Sequence, residues 1–337
     1  MLINLTELQK IDSKKIYQVY DMWPKIARNS YEYNWGSVKY ENINHIVFAG
    51  MGGSGSVGDI FSSILSKTNL YVSVVKGYIL PKTVDKNSLV ICTSVSGNTV
   101  ETLSILNQAK NLNCKLIAFS SGGKIEEFCK SNKIDYRKIS QFNSPRASLT
   151  SFVYSMLKIL EFILPITKEE VIESIISLEK TEIEISSNNL TESNQALNLA
   201  KWISGIPLIY YPWGLQASAI RFKNSLQENA KMHALSEDVI EACHNGIVAW
   251  EKKSVIQPIL IKGDEDNIKT KERWRILSQY FDERKIKYYE IHSIKGNILS
   301  KLINLIYLFD YSSIYKAILD KVDPTPVSSI DYVKKQL

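Results

Sequence analysis

An apolar run from Ile46 to Ala49 breaks off at four closely spaced glycines, Gly50, Gly52, Gly53 and Gly55, and gives way to apolar positions Ile60, Phe61, Ile64 and Leu65 at helical spacing. That pattern predicts a strand, a tight loop and a helix. It recurs along the chain, with strands expected near 45–50, 71–75, 88–94, 114–119 and 134–138 and helices near 55–66, 98–111 and 122–132. Such alternation is what a parallel α/β sheet requires.

On either side the pattern changes. Residues 1–44 read as an N-terminal helical arm with one amphipathic helix through Ile16, Val19, Tyr20, Trp23 and Ile26. The first α/β domain is expected to extend over 45–164 and to end in a helix marked by Phe152, Met156, Leu157 and Leu160, with Ser144 as its cap and Pro145 in its first turn. Residues 165–200, periodic at Val171, Ile175, Leu178 and Ile185, read as connecting helices. A second α/β domain over 201–320 starts with the strand Ile206–Tyr211 and a helix from Leu215 to Ala230. It continues with strands near 254–262 and 286–292 and helices near 267–284 and 296–320. The tail, 321–337, follows tandem prolines into a last short helix.

The glycine loop after the first strand lets backbone N–H groups approach a ligand closely, and a helix start favours an anion. With Ser54 and Ser56 adding hydroxyls, a phosphate is the simplest guest. Gly50-Met-Gly52-Gly-Ser-Gly55 also spells a dinucleotide fingerprint, but the next strand, Tyr71 to Val75, runs into Lys76-Gly77 without the carboxylate a ribose needs. A nicotinamide cofactor is therefore disfavoured, and a glycine turn that only packs helix on strand is the plain alternative. A second small-residue loop, Ser94-Val-Ser96-Gly-Asn-Thr99, again joins an apolar strand to a helix, so both loops are expected at the carboxyl edge of one sheet. Ser94, Ser96 and Thr99 would then surround one pocket.

Composition narrows the partners. The chain has 337 residues, 45% of them hydrophobic and 23% charged, as a folded globular protein requires. The net charge of +6 is spread along helices without a basic patch interleaved with aromatics, which argues against nucleic acid and suits an anionic small substrate. Cys92, Cys114, Cys129 and Cys243 make no C-x-x-C pair, and His45, His233, His244 and His292 show no ligand spacing with them, so no metal is expected. With no leader read at Met1-Leu2-Ile3 and no apolar stretch of membrane-spanning length, the expectation is a reduced cytoplasmic protein with no membrane partner.

Three charged residues stand out. Glu228 ends a helix whose apolar positions are Ala219, Phe222 and Leu226; an acid there opposes the helix dipole, and a partly desolvated carboxylate can act as a general base. A solvated helix-end glutamate is the alternative. His244, before the turn dipeptide Asn245-Gly246, could shuttle protons, with His233 its competitor and an inert loop histidine the plain reading. Arg146, at a helix entry, is either a site residue or an ordinary surface arginine.

Ser94-Val-Ser-Gly-Asn-Thr99 resembles the phosphosugar-binding loop of sugar isomerase (SIS) domains, which implies a flavodoxin-like fold with a five-stranded parallel sheet. The run Gln227-Glu228-Asn229-Ala230-Lys231, His244-Asn245, Ser144-Pro-Arg146 and the terminal Asp323-Pro-Thr-Pro-Val are similar to the bifunctional phosphoglucose/phosphomannose isomerases. That resemblance implies two SIS subdomains and a phosphorylated hexose substrate whose aldose and ketose forms interconvert through a cis-enediol, a chemistry needing no cofactor. It implies Glu228 as the base, Arg146 as the clamp for the enediolate, and His244 opening the sugar ring of the neighbouring subunit in a homodimer. Lys334 would stand beside it, with Lys335 one position away. Gly52, Gly53, Ser54, Ser94, Ser96 and Thr99 would line the substrate site. Gly246 departs from the family, where a glutamate commonly follows His-Asn, and Thr325 matches a threonine associated with mannose epimers. A non-catalytic sugar-phosphate sensor would keep the serine loops and be indifferent to Glu228. Glutamine-dependent aminosugar synthesis would need a further domain, and a single-domain hexulose-phosphate isomerase would leave the second half unexplained.

Overall fold

The computed structural model describes residues 3–336, so the reading of Met1 and Leu2 falls outside it. The chain divides into two compact units. One comprises Met22–Ile176 with Asn297–Ser300; the other comprises Ser177–Gly296 and the chain from Lys301 onward, together with the stretch up to Asp21.

The N-terminal stretch forms three helices, α1 (Leu5–Ile11), α2 (Ile16–Asp21) and α3 (Trp23–Glu32), instead of one amphipathic helix. The break falls where Pro24 enters the first turn of α3, a position in which its missing N–H costs nothing but which cannot continue a preceding helix. Helix α1, which the hydropathy pattern did not reveal, is capped by Asn4, whose Oδ1 accepts the Glu7 N–H at 2.9 Å.

The first-sheet unit holds β1 (His45–Ala49), β2 (Tyr71–Val75), β3 (Ser88–Ser94), β4 (Lys115–Ser120) and β5 (Asp135–Lys138), all parallel, in the order β2-β1-β3-β4-β5. Every residue of β1 and β3 is buried, which explains their continuous apolar runs: a central parallel strand is covered on both faces. Between the strands run α4 (Gly53–Leu65), α5 (Val100–Ala109) and α6 (Gly123–Asn132), and α7 (Leu149–Ile159) follows β5. One face packs Val47, Val90, Cys92 and Ala118 under Ile105, Leu106 and Ile125. On the other Phe48 stacks on Phe61 at 5.1 Å, and Gly58 lies so close to Phe48 that an added Cβ would stand 3.0 Å from the ring-bearing carbon. Helix α3 is tied to the turn just ahead of α7 through Trp23, whose indole N–H donates to the Ala147 carbonyl at 2.9 Å.

Helices α8 (Lys168–Ile185) and α9 (Gln195–Trp202) lead to the second sheet. There β6 (Ile206–Tyr211) is followed by α10 (Gln216–Asn229), β7 (Leu235–Asp238), α11 (Val239–Ala242), β8 (Ile256–Lys262), α12 (Ile268–Glu283) and β9 (Tyr289–His292). The four strands are parallel in the order β7-β6-β8-β9, repeating the first sheet without its fifth strand. Strand β7 was not expected. Its Leu-Ser-Glu-Asp has no apolar run because it is an edge strand held by backbone pairing from Leu208↔Leu235 to Tyr211↔Asp238. The core gathers Tyr210, Leu260, Trp274, Leu277 and Phe281, with the Trp250 indole donating to the Tyr210 hydroxyl at 2.9 Å. Helices α13 (Ile298–Leu319) and α14 (Ser328–Gln336) end the chain. A buried ion pair fastens α10 to α13: Arg221 meets Asp310 through Nε at 3.1 Å and Nη2 at 2.7 Å.

Candidate active site

At the carboxyl edge of the first sheet, α4 begins from Gly52 at φ +55° and α5 from Thr99, and no side chain caps either first turn. Uncapped helix starts leave N–H groups for an anion. Thr99 would ordinarily cap its own helix, but its Oγ1 pairs with Ser94 Oγ at 2.8 Å. Ser94 Oγ also accepts the Gly97 N–H at 3.1 Å. Whichever hydroxyl donates within the pair, one hydroxyl proton of the two is left over for a ligand.

The two loops are tied to each other. The Val95 N–H donates to Ser54 Oγ at 3.0 Å, in a buried setting, so the Ser54 hydroxyl proton is not consumed by that bond. Gly50 is needed for the approach of the loops: a Cβ there would stand 2.9 Å from the Thr93 carbonyl oxygen. Ser96 Oγ is half-buried and accepts the Asn98 N–H at 3.4 Å. Ser56 differs from expectation, since its hydroxyl donates back to the Gly52 carbonyl at 3.3 Å and it is only 3% exposed.

Arg146 opens a short 3-10 turn, Arg146–Ser148, ahead of α7, and is 4% exposed, which rules out an ordinary surface arginine. The turn lies against the first glycine loop: a Cβ on Gly53 would meet the Pro145 carbonyl oxygen at 3.4 Å and the Arg146 Cα at 3.6 Å. Ser144 does not cap α7, whose N-cap is Ser148; its Oγ accepts the Ala147 N–H within the turn at 3.4 Å. Gly52, Gly53, Ser54, Ser94, Ser96, Thr99 and Arg146 thus belong to one neighbourhood.

A third loop, which the sequence reading passed over, supports the second. Gly97, at φ +70°, lies so close to the Gly122 carbonyl oxygen that a Cβ would overlap it at 1.7 Å. Ser121 N–H donates to the Val95 carbonyl at 3.0 Å, Ile125 N–H to the Gly97 carbonyl at 2.9 Å and Lys124 N–H to Asn98 Oδ1 at 3.1 Å. The signal was present in Ser120-Ser121-Gly122-Gly123, a strand end followed by small residues and a helix.

The other candidates belong to the second-sheet unit. Glu228, half-buried, is the penultimate residue of α10. The helix ends in Ala230 and then Lys231, left-handed at φ +55°, with the Met232 N–H reaching back to the Leu226 carbonyl at 3.4 Å. A non-glycine residue in that conformation costs about 1–2 kcal/mol. Lys231 Nζ donates to the carbonyls of Glu228 at 2.6 Å, Asn229 at 3.4 Å and Pro324 at 3.1 Å. A cation there also offsets the negative helix end by about 0.3–1 kcal/mol. Asn229, fully buried, donates to Ser313 Oγ at 2.8 Å. Thr325 is 8% exposed and donates through its hydroxyl to Asp12 Oδ1 at 3.2 Å. Burial pushes the Asp12 carboxyl up, although it also accepts the Tyr17 N–H.

His244 is exposed in a turn after α11, and His233 is exposed as well, so burial does not separate the two. The His244 N–H donates to the Glu241 carbonyl at 2.9 Å, and the Asn245 amide donates to Glu241 Oε1 at 2.7 Å. Gly246 faces Glu237: a Cβ would stand 2.7 Å from Glu237 Oε1, so a longer residue there would displace that carboxyl. Burial, with Glu241 and Asp238 nearby, raises the Glu237 carboxyl above the ordinary range. Lys334 and Lys335 both lie on α14, none of whose residues is buried. A cleft of about 860 Å³ along α12 and β9 contains none of these candidates, and its Lys262 is already bonded to Glu290 and to Ser278.

A doubly repeated parallel α/β fold, with a hydroxyl-bearing loop and an uncapped helix at the carboxyl edge of the first sheet, defines an SIS-domain protein. A family model of the SIS domain matches residues 39–159, and one of the bacterial phospho-glucose isomerase C-terminal SIS domain matches residues 192–337. The chain is similar to the bifunctional phosphoglucose/phosphomannose isomerase of Caldicellulosiruptor bescii, at 33% identity over 336 residues and 96% of each chain. It is similar also to that of Aquifex aeolicus, at 30% identity over 87% of this chain and 90% of the relative. A solved structure of a hypothetical protein from Thermus thermophilus shares the fold, with a TM-score of 0.74 at 13% identity over 98% of this chain and 92% of that one. The chain belongs to the bifunctional phosphoglucose/phosphomannose isomerase family.

Proposed function

We propose that the protein is an aldose–ketose isomerase that interconverts glucose 6-phosphate, and mannose 6-phosphate, with fructose 6-phosphate. The observation that carries this reading is the convergence of two hydroxyl-bearing loops and the buried Arg146 at one sheet edge, in a chain 33% identical to one relative so named and 30% identical to another. In it the first SIS domain, 45–164, holds the ester. Ser54, Ser94, Ser96 and Thr99 take the phosphate with the backbone at Gly52 and Gly53, and Arg146 holds the charge that develops on the enediolate. The second SIS domain, 201–320, supplies Glu228, which removes the proton from C2 and returns it to C1. His244, contributed by the neighbouring subunit of a cytoplasmic homodimer, opens the ring, with Lys334 beside it. A single base that carries one proton between adjacent carbons and an electrostatic clamp are what this reaction asks of a protein.

The test is a coupled assay of fructose 6-phosphate conversion on the wild type and on Glu228→Gln. Loss of a general base lowers kcat by on the order of 10²–10⁴-fold, with KM changed far less. Full activity in Glu228→Gln removes Glu228 from its role, and an inactive wild type that still binds sugar phosphates makes the protein a sensor.

A further inference from the structure

The turn that ends α10 breaks a local preference. Helices that close on a left-handed residue mostly place glycine there, because a side chain is strained in that conformation. This chain has Lys231 at φ +55°, and lysine is also left-handed at Lys133, Lys285 and Lys321, just past α6, α12 and α13, so the backbone alone does not single Lys231 out. Its ammonium gives it a further use: it donates to the carbonyls of Glu228 at 2.6 Å and Asn229 at 3.4 Å and also to that of Pro324 at 3.1 Å, 93 residues further along. Two of these carbonyls are the unsatisfied acceptors that every helix end leaves. The third belongs to the root of the C-terminal tail, where Pro324 and Thr325 are buried and Thr325 is held by Asp323 through its N–H at 3.0 Å and by Asp12 through its hydroxyl at 3.2 Å. Glycine in the same place could close the helix but could not reach the tail.

We propose that Lys231 is a positioning residue for the isomerase reaction, a clamp that fixes the helix end carrying Glu228 to the buried root of the tail. The inference rests on the reading of Glu228 as the base. A carboxylate one residue from the end of a helix stands only as steadily as the last turn, and a base displaced by about 1 Å loses on the order of 10²-fold in rate. Removing the ammonium removes the three hydrogen bonds it makes, two to that turn and one to the Pro324 carbonyl. The carboxylate of Glu228 is then no longer held where the proton is taken, while the loops that hold the phosphate are unchanged.

The decisive variants, made in the full-length protein, are Lys231→Gly, Lys231→Met and Lys231→Arg. Lys231→Gly relieves the strained backbone as it removes the clamp, so its thermal midpoint stays within about 3 °C of wild type. Its kcat for fructose 6-phosphate nevertheless falls about 10- to 100-fold with KM changed less than about threefold. The deuterium isotope effect on 2-deuterated glucose 6-phosphate rises as proton removal becomes more limiting. Lys231→Met loses activity equally, and Lys231→Arg recovers most of it. A lysine that serves only as a helix cap predicts otherwise: activity follows stability, and Lys231→Gly is as active as wild type, which overturns the proposal. That result differs from failure of the underlying reading, in which Glu228→Gln is itself fully active or the wild type is inactive. In that event amide exchange decides the clamp alone. Residues 226–232 and 323–327 exchange at least tenfold faster in Lys231→Gly if it exists, and unchanged exchange refutes it.

Discussion

Replacing Gly97 with alanine tests whether the third loop holds the phosphate-loop geometry. The added Cβ would stand 1.7 Å from the Gly122 carbonyl oxygen and 2.7 Å from its carbon, both backbone atoms with no rotamer to escape into. The φ of +70° adds the left-handed penalty, about 1–2 kcal/mol for a residue with a Cβ. To make room, the Gly122–Gly123 turn must retreat by more than about 1 Å, which strains the Ile125 N–H bond to the Gly97 carbonyl at 2.9 Å and the Lys124 N–H bond to Asn98 Oδ1 at 3.1 Å. Losing two such bonds costs about 1 kcal/mol each, which brings the whole to about 3–4 kcal/mol. In a unit of this size the first thermal transition should fall by roughly 10 °C. The same retreat splays Ser94 from Thr99, so KM for fructose 6-phosphate should rise more than kcat falls. Circular dichroism on heating and initial-rate kinetics measure the two. A midpoint within about 2 °C of wild type together with an unchanged KM would refute the claim that this contact sets the loop.

Two further outcomes follow from other contacts. Ser54→Ala leaves the buried Val95 N–H without its acceptor and should lower stability by about 1–3 kcal/mol in urea unfolding, with a weaker grip on sugar phosphate; a loss under about 0.3 kcal/mol would mean the loops are not tied there. Asp12 binds its proton more tightly folded than unfolded, because burial raises its carboxyl. Its contribution to stability therefore grows as pH falls through the folded value and shrinks as pH rises, and Asp12→Asn should flatten that part of the difference between urea midpoints at acidic and neutral pH. An identical pH dependence in the two proteins would exclude Asp12 as its source.

What the chain disclosed in advance follows from where each element lies. Strands β1 and β3 are buried on both faces and so read as unbroken apolar runs, while β7, at an edge, needs only backbone pairing and showed nothing. Glycine was the ambiguous letter. The same residue type permits approach to a ligand and approach to another backbone, and at Gly50 and Gly97 the second use is what the contacts demand. Serine was ambiguous for a similar reason: Ser54 and Ser94 serve the loops, but Ser56 turns its hydroxyl into its own helix.

Lys231 marks where reading by periodicity stops. Hydrophobic spacing and capping signals are local, reaching a turn or two along the chain, and by those signals the end of α10 contains an acid at the wrong end of a dipole and a lysine where glycine belongs. Each is a small local fault. They become intelligible together only when the Pro324 carbonyl is brought to the ammonium, a contact no spacing rule anticipates. The left-handed lysine alone is ordinary for this chain, which repeats it at Lys133, Lys285 and Lys321; what distinguishes this helix end is an acid in its last turn and, three residues on, an ammonium that ties that turn to Pro324.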